Sequence, residues 1–275
     1  MCELFCLSSQ RPTRATFSLR RFAAHGAPDT RNVDGWGVAF YDGREAWIYK
    51  EPEPAAHSPW LTFIEQQSRP TRLLISHIRR ATRGANSHAN TQPFMRELGG
   101  RMHLFAHNGG LDDIDAAFAS ALPAPGHRFH PVGETDSERA FCLLLQRLAP
   151  LWWHTAAPSL AARLAVVKGF AADMRPLGIA NFLYSDGEFV FGHSHRRTQA
   201  DGIVRPPGLW LRHRHREAAP DVETAAGVTV VPADRREARD MTLLASVPVT
   251  TGDWRPLDEG EIVVVAAGKP VAAGD

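Results

Sequence analysis

The sequence has few cysteines and no long apolar segment. Its three cysteines are Cys2, Cys6 and Cys142, an odd and sparse count that does not indicate a disulfide framework. No run of about 18 apolar residues is present, so no transmembrane helix is expected. Residues 1–10 lack a basic region followed by a long apolar stretch, which argues against a signal peptide. These absences predict a cytoplasmic protein that has no membrane partner.

An excess of charge of one sign is also absent. The chain carries 31 basic and 30 acidic residues, a formal net charge of +1, and this balance predicts no nucleic-acid partner. What is present is an ordinary enzyme composition, with 44% hydrophobic and 22% charged residues. A length of 275 residues suffices for one large domain or two small ones.

The predicted elements follow the order strands, helices, strands. Glu3 to Ser8 is a short apolar run typical of a buried strand, whereas the polar stretch from Gln10 to Asn32 predicts a long loop. Asp42-Gly43 between two β-rich runs predicts a hairpin turn. Further strands are expected at Leu73 to His77, Arg101 to Ala106, Ile179 to Ser185, Glu188 to Gly192, Gly208 to Arg212, Gly227 to Val231, Leu243 to Val247 and Glu261 to Ala266.

The middle of the chain has helical patterns. Thr135 and Asp136 are good N-cap residues before a helix over Ser137 to Leu148, and another helix is expected over Ala157 to Met174. Strands on both sides of these helices favour an α+β fold with antiparallel sheets and helices packed over them. Because no internal repeat or low-complexity linker is present, residues 2–271 are predicted to form a single domain.

Cys2 is a candidate nucleophile because of its position. Once Met1 is removed, Cys2 becomes the N-terminal residue, and its free α-amine has a reference pKa of about 7.7–8.0. Such an amine can accept the thiol proton and later donate it to a leaving amine. On position alone, chance placement is the more economical interpretation. Cys6 and Cys142 are predicted to be small core residues.

Four polar segments at strand or helix ends add to this candidate site. They are Asp34-Gly35-Trp36-Gly37, the stretch from Ser76 to Thr82, His107-Asn108-Gly109-Gly110-Leu111 and the stretch from Gly133 to Glu138. Each motif is weak alone, but together with Cys2, and in this order, they are specific. With Asn90-Thr91-Gln92-Pro93-Phe94 and Thr251-Gly252-Asp253-Trp254, they resemble the class II glutamine amidotransferases. The resemblance extends almost end to end, and it is closest to the stand-alone YafJ-like group, which is similar to the hydrolase of ergothioneine biosynthesis.

This resemblance implies a fold and a set of roles. The fold would be the four-layer αββα sandwich of the N-terminal-nucleophile (Ntn) hydrolases, with two antiparallel sheets. Cys2 would be the nucleophile and its α-amine the base, and Asn108 and the Gly109 N–H would form the oxyanion hole. Arg79 would bind the α-carboxylate of a glutamine or γ-glutamyl substrate through its bidentate guanidinium, and Asp136 would bind the α-ammonium group. The reaction would pass through a γ-glutamyl thioester and release glutamate.

Simpler interpretations of the same residues stay open. Arg79 alone could be a surface arginine, Asn108-Gly109 a turn and Asp136 a helix cap. Trp36 is a candidate pocket wall or core residue. His77 and Thr82 are candidate substrate contacts, with a structural role favoured for His77. Gly35 and Gly37 are predicted to shape the backbone rather than to contact substrate.

The thirteen histidines raise the question of a metal site. His193 and His195, like His213 and His215, are two residues apart, and such a pair on a strand points to one face. No third ligand has a recognisable spacing, so neither a metal nor a cofactor is predicted.

Two functions of different classes follow from the sequence. The first is a Cys2-dependent hydrolase of glutamine or of γ-glutamyl amides; the second is a catalytically idle or regulatory subunit with the same fold. An amidase for another acyl group is disfavoured, because Arg79 and Asp136 match an amino-acid headgroup. The chain leaves no length for a synthetase or phosphoribosyl domain and has no Walker loop. An ammonia-accepting partner enzyme and a homodimer both stay open.

Overall fold

The structure is a computed structural model. It describes residues 2–17, 34–54, 58–66, 70–81, 84–120, 129–153, 157–216, 223–225, 228–232, 239–250 and 252–272.

Seventeen strands occur among these residues. They are β1 (Glu3–Phe17), β2 (Gly35–Asp42), β3 (Glu45–Glu51), β4 (Thr71–Arg79), β5 (Phe94–Leu98), β6 (Arg101–Leu111), β7 (Gly178–Ser185), β8 (Phe189–His193), β9 (Arg197–Thr198), β10 (Val204–Arg205), β11 (Trp210–Arg216), β12 (Glu223–Ala225), β13 (Val228–Pro232), β14 (Arg239–Ala245), β15 (Arg255–Pro256), β16 (Ile262–Ala266) and β17 (Lys269–Val271).

The strands form two large antiparallel sheets. The first has nine strands in the order β15-β11-β14-β1-β4-β2-β3, and β13 pairs with both β1 and β12 beside this path. The second has six strands in the order β17-β16-β8-β7-β6-β5. β9 and β10 form a separate antiparallel pair. The prediction of antiparallel sheets is confirmed.

Four α-helices accompany the sheets in the described part of the chain. They are α1 (Pro59–Gln66), α2 (Ile114–Ser120), α3 (Asp136–Leu148) and α4 (Leu160–Met174). Short 3-10 turns follow α3 at Ala149–Trp152 and α4 at Arg175–Leu177. No helix of the described residues has the length and apolar character needed to span a membrane.

The alternation of side chains along the strands creates three buried layers. Leu4 and Cys6 of β1 pack between the two sheets with residues such as Leu104 of β6, while Phe5 of β1 points to the opposite face and packs with Leu61 of α1. The outer face of the second sheet is covered by α3 and α4. The order α1, first sheet, second sheet, α3 with α4 is the predicted αββα arrangement.

Aromatic side chains dominate the layer between the second sheet and its helices. The ring of Phe105 on β6 stacks on Phe141 of α3, with 5.3 Å between ring centroids, and lies edge-on to Phe170 of α4. Buried aromatic rings provide large apolar area together with specific geometry. This packing holds α3, and with it the predicted substrate residue Asp136, in a fixed position against β6.

Two sequence predictions about the first sheet need correction. β1 runs to Phe17, so residues 10–17 of the predicted long loop are strand, while residues 18–32 lie outside the described residues. This part of β1 pairs with β13, from Thr13 opposite Pro232 to Phe17 opposite Val228, after a register shift that follows Ser8. Hydrogen bonding to β13 makes this segment a strand even though its sequence is polar.

The hairpin between β2 and β3 was predicted one residue too early. Asp42 pairs with Glu45, so the two turn residues are Gly43 and Arg44, and Gly43 has φ +63°. Glycine accepts this left-handed conformation without steric cost. β5 and the short strands β9, β10, β12, β15 and β17 had no counterpart among the predicted elements.

Candidate active site

The start of β1 and the end of β4 lie side by side because the two strands are antiparallel. Glu3 pairs with Ile78, so Cys2 comes next to Arg79 and Arg80 at one end of the sandwich. β6 brings Asn108 and Gly109 of the second sheet to the same end. Residues that are more than 70 positions apart in the sequence therefore meet around Cys2.

The Cys2 thiol is half-buried and held by the backbone of Arg80. Its Sγ accepts a hydrogen bond from the Arg80 N–H at 3.1 Å and lies 3.3 Å from the Arg80 carbonyl oxygen, to which the thiol donates. Burial raises the pKa of the Cys2 thiol, although the Arg80 N–H and the nearby Arg79 charge oppose the rise. The thiol is therefore protonated near neutral pH and needs a base to become a nucleophile. Met1 lies outside the described residues.

Asn108 makes direct contact with the candidate nucleophile. Its Nδ2 donates to the Cys2 carbonyl oxygen at 2.6 Å and to Ser246 Oγ at 3.3 Å. The backbone of Asn108 is also fixed, because its carbonyl oxygen accepts from Asn181 Nδ2 at 3.1 Å. The interpretation of Asn108-Gly109 as a turn is wrong, since both residues lie inside β6 and pair with β7.

Gly109 occupies a position where a side chain does not fit. Its φ is +153°, and a Cβ atom would lie 1.8 Å from the Ile179 carbonyl oxygen on β7. Only glycine combines this conformation with such a close approach of two backbones. The backbone of β6 is thereby drawn against β7 at the residue after Asn108.

Arg79 is buried, so its interpretation as a surface arginine is wrong. Its guanidinium donates to the Asn86 Oδ1 at 2.9 Å, the Gly84 carbonyl at 3.2 Å and the Asp34 carbonyl at 3.4 Å. Asp34 in turn accepts from the Ala81 N–H at 2.7 Å. These contacts hold the guanidinium at the end of β4.

The structure separates the roles of Thr135 and Asp136. Thr135 is the N-cap of α3, because its side chain accepts from the Glu138 N–H at 3.2 Å. Asp136 is the first helical residue and not the cap. Its Oδ2 accepts from the Leu111 N–H at 2.7 Å, which ties α3 to the end of β6 two residues after Gly109. A carboxylate in the first turn is also stabilised by the helix dipole.

His77 lies beneath the site and is fully buried. Burial, together with the nearby charges of His107 and Arg79, lowers the pKa of its imidazole to about 3. Neither ring nitrogen makes a hydrogen bond of ordinary geometry within the described residues. His77 is thus a neutral interior residue, in line with its structural interpretation.

The remaining candidates have mixed outcomes. Trp36 packs in the apolar cluster on the outer face of the first sheet, as a core residue. Thr82 lies outside the described residues. Gly37 shapes the backbone as expected, because a Cβ there would lie 2.2 Å from the Gln92 carbonyl oxygen. Gln92 itself accepts from the His107 N–H at 2.6 Å and thereby supports β6 just before Asn108.

Two residues that support the site were not predicted from the sequence. Glu3, the residue after Cys2, is buried and forms a 2.9 Å ion pair with buried Arg197. Ser246 contacts both Asn108 and the backbone of β1. A charged residue inside the apolar run from Glu3 to Ser8 was the one available signal, because burying a charge requires a partner.

The side chains of the histidine pairs contact other protein groups. His193 and His195 have ring centroids 6.4 Å apart, and His193 Nδ1 bonds to the Ala180 carbonyl at 2.6 Å. His215 Nδ1 bonds to Asp240 at 2.8 Å. Over the described ranges, no group of three or more His, Cys, Asp or Glu side chains is arranged to hold a metal ion.

Cys6 and Cys142 are core residues, as predicted. Both are buried, Cys6 between the sheets and Cys142 in the layer of α3. Burial raises the pKa of both thiols, that of Cys142 to about 11. Buried thiols of this kind are inert. Cys2 is the thiol at the site.

Comparisons with known proteins agree with this geometry. The family model of the class II glutamine amidotransferases matches residues 1–275. "Putative glutamine amidotransferase YafJ" of Escherichia coli (strain K12) is 32% identical over 272 residues, which are 98% of this chain and 100% of that protein. The crystal structure of a predicted glutamine amidotransferase from Pseudomonas aeruginosa PA01 aligns with a TM-score of 0.72 at 30% identity, over 98% of this chain and 100% of that one.

A more distant structure extends the likeness of fold. The glutamine phosphoribosylpyrophosphate amidotransferase of B. subtilis aligns with a TM-score of 0.58 at 16% identity, over 99% of this chain and 49% of that chain. This likeness supports the fold alone, which is the α+β sandwich of the Ntn hydrolases with its two antiparallel sheets. The matched family model, the YafJ-like relative and the arrangement around Cys2 lead to one conclusion: this chain belongs to the class II glutamine amidotransferase family.

Proposed function

We propose that the protein hydrolyses the side-chain amide of glutamine or of another γ-glutamyl amide through a thioester on Cys2. The observation that carries this proposal is the contact of Asn108 Nδ2 with the Cys2 carbonyl oxygen at 2.6 Å. It brings a donor suited to an oxyanion to the candidate nucleophile. Family membership supports glutamine amide chemistry in general.

The first step is the activation of the thiol. After removal of Met1, the α-amine of Cys2 accepts the thiol proton, because an amine with a reference pKa of about 7.7–8.0 is partly unprotonated near neutral pH. The sulfur then attacks the amide carbon, a C–S bond forms, and the C=O π electrons move to oxygen. Asn108 Nδ2 and the Gly109 N–H stabilise the resulting oxyanion.

The tetrahedral intermediate then collapses. The C–N bond breaks, the leaving nitrogen takes the proton held by the α-amine, and ammonia or an amine departs. Water attacks the γ-glutamyl thioester with the same amine as base, and glutamate and the free thiol are released. None of these steps requires a metal or a cofactor.

The amino-acid headgroup selects the γ-glutamyl acyl group. The Arg79 guanidinium binds the α-carboxylate, since its planar fork matches a carboxylate with two parallel hydrogen bonds. The Asp136 carboxylate binds the α-ammonium group. Two observations support this assignment. Arg79 lies beside Cys2, because Glu3 pairs with Ile78 where β1 begins and β4 ends. Asp136 is hydrogen-bonded to the end of β6.

The test is a product assay. Purified protein is incubated with glutamine and with a panel of γ-glutamyl amides, and released glutamate is measured for wild type, Cys2→Ala and Cys142→Ala. We expect release by wild type and by Cys142→Ala, whose buried thiol lies in the α3 layer, and none by Cys2→Ala. Equal release by wild type and Cys2→Ala contradicts the mechanism.

The alternative function is a catalytically idle or regulatory subunit that serves a partner enzyme. It predicts no release by wild type from any compound of the panel. The intact mass of the purified protein separates the two functions further. The proposed mechanism requires a chain that begins at Cys2, because a retained Met1 blocks the amine.

A further inference from the structure

A buried polar network lies behind Cys2 and centres on Ser246. The Ser246 Oγ accepts the Leu4 N–H at 3.0 Å and the Asn108 Nδ2 N–H at 3.3 Å. The serine is fully buried and follows the last residue of β14. One hydroxyl group therefore links the candidate oxyanion donor to the backbone of the strand that carries the nucleophile.

Ser246 is itself held at its main chain. Its N–H donates to the Leu4 carbonyl at 3.0 Å, and its carbonyl oxygen accepts a hydrogen bond from the Arg197 guanidinium. The same guanidinium donates to Glu3 Oε1 at 2.9 Å, and both side chains are almost fully buried. Burial raises the pKa of the Glu3 carboxyl, and the Arg197 charge opposes the rise. The hydroxyl of Ser246 thus has a fixed place, set by β1 and by the ion pair.

The two acceptors of Asn108 Nδ2 differ in their surroundings. The amide nitrogen carries two N–H groups. One points to the Cys2 carbonyl, on the side of the half-buried thiol, and the other points to Ser246 in the buried network. The torsion that turns a terminal amide is broad, so it needs such partners to hold one orientation. An oxyanion donor is effective because it is oriented before the reaction.

We infer that Ser246 is a positioning residue of the oxyanion hole, an inference that rests on the proposed function. The N–H on the Cys2 side is already oriented towards the site and donates to the oxyanion when it forms. The N–H on the Ser246 side keeps its bond and holds the amide in place. Arg197 and Glu3 support Ser246 and do not touch the substrate.

The main test compares Ser246→Ala with a matched control, Ser8→Ala. Ser8 is a buried serine in the middle of β1, and its Oγ accepts the Gly268 N–H at 3.0 Å. Both variants lose a buried hydroxyl that accepts a backbone N–H. For Ser246→Ala we expect kcat with glutamine to fall about tenfold with KM within about twofold, less than the 10²–10³-fold typical of removing an oxyanion donor. Ser8→Ala keeps the wild-type kcat.

A second measurement separates positioning from general damage. The γ-aldehyde of glutamate reacts with a thiol to give a tetrahedral hemithioacetal: the C–S bond forms, and the aldehyde oxygen, which takes the thiol proton, occupies the oxyanion position. Ser246→Ala should bind this aldehyde about tenfold more weakly and bind glutamate as wild type does. Ser246→Thr, which restores a hydroxyl, should recover part of the lost kcat. The alkylation rate of Cys2 by iodoacetamide should not change.

Two outcomes overturn the inference. One is a Ser246→Ala variant with wild-type kcat and wild-type affinity for the aldehyde. The other is a parallel loss of kcat, glutamate affinity and Cys2 alkylation, which indicates that the whole site has collapsed. Either result leaves the proposed function intact if wild type releases glutamate and Cys2→Ala does not, so the two failures are distinguishable.

Discussion

Individual side chains at the site are placed by contacts between distant parts of the chain. Asn108 reaches Cys2 over 106 sequence positions, and the Arg197–Glu3 pair spans 194 positions. A buried charge pair of this kind is costly to break, because removing one partner leaves the other charged and buried. The geometry around Cys2 thus depends on a small number of polar side chains that contact one another across the chain.

Arg79→Lys tests the carboxylate site at the residue scale. Lysine keeps the positive charge but loses the planar fork, so KM for glutamine should rise roughly tenfold, about 1.4 kcal/mol of binding. Initial-rate kinetics with glutamine measure the effect. The control is Arg72→Lys on the same strand, where the side chain is exposed at the other end of β4. An unchanged KM in Arg79→Lys removes this residue from the carboxylate site.

The sequence identified the site residues that lie in short ordered motifs. Cys2, Arg79, Asn108, Gly109 and Asp136 were all named from such motifs, and their roles stay predictions. Ser246 and Arg197 were not found, because neither stands in a motif and each acts through partners far away in the chain. Contacts of this kind arise from the pairing of strands, which single-sequence patterns do not encode.

At the scale of elements, turn chemistry and caps could be predicted better than strand length. The β2–β3 hairpin and the Thr135 cap follow from local residue preferences. The second half of β1 could not be predicted from local preferences, because it is polar and becomes a strand only by pairing with β13. The predicted β6 ended too early, at Ala106, because Asn-Gly is a favoured turn pair. In the structure, Asn108 and Gly109 continue the strand, and the backbone of Gly109 lies close to the neighbouring strand β7.

Gly109→Ala tests the close approach of β6 and β7. The new Cβ would lie 1.8 Å from the Ile179 carbonyl, so β6 must shift. We expect the Tm to fall by more than about 5 °C, and the thioester chemistry to be lost with the shifted N–H. Gly110→Ala is the matched control, because a Cβ there has open space. Thermal unfolding measures the Tm of both variants, and equal Tm values contradict the prediction.

Thr135→Ala tests whether the cap of α3 also positions Asp136. The loss of the cap should lower the free energy of unfolding by about 1 kcal/mol. Because Asp136 follows directly, KM for glutamine should rise as well. Ser159→Ala removes the equivalent cap of α4, whose side chain accepts from the Ala162 N–H at 3.3 Å, and should cost similar stability with no change in KM. Denaturant titration and kinetics on both variants give the comparison.

At the scale of the whole molecule, several imidazoles are buried in neutral form. Burial lowers the pKa of His77 to about 3 and those of His103 and His193 to about 4. These histidines make the free energy of unfolding depend on pH, because they bind protons near pH 6.5 in the unfolded chain but not in the folded chain. Stability from this source is fully present above about pH 6.5 and is lost as the pH falls toward these lowered values.

The corresponding prediction concerns the pH dependence of Tm. Wild-type Tm should fall as the pH is lowered from about 6.5 to about 5, as measured by calorimetry. His77→Gln removes one of these groups, so its Tm should fall less steeply over the same range, whatever its starting value. Equal slopes for His77→Gln and wild type show that His77 does not contribute.

The link between Glu3, Arg197 and Ser246 has a consequence for the order of events during protein synthesis. Cys2 is synthesised long before Arg197 and Ser246, whose side chains fix its surroundings. The contacts around Cys2 therefore stay incomplete through most of translation. They form only when the last third of the chain closes on its beginning.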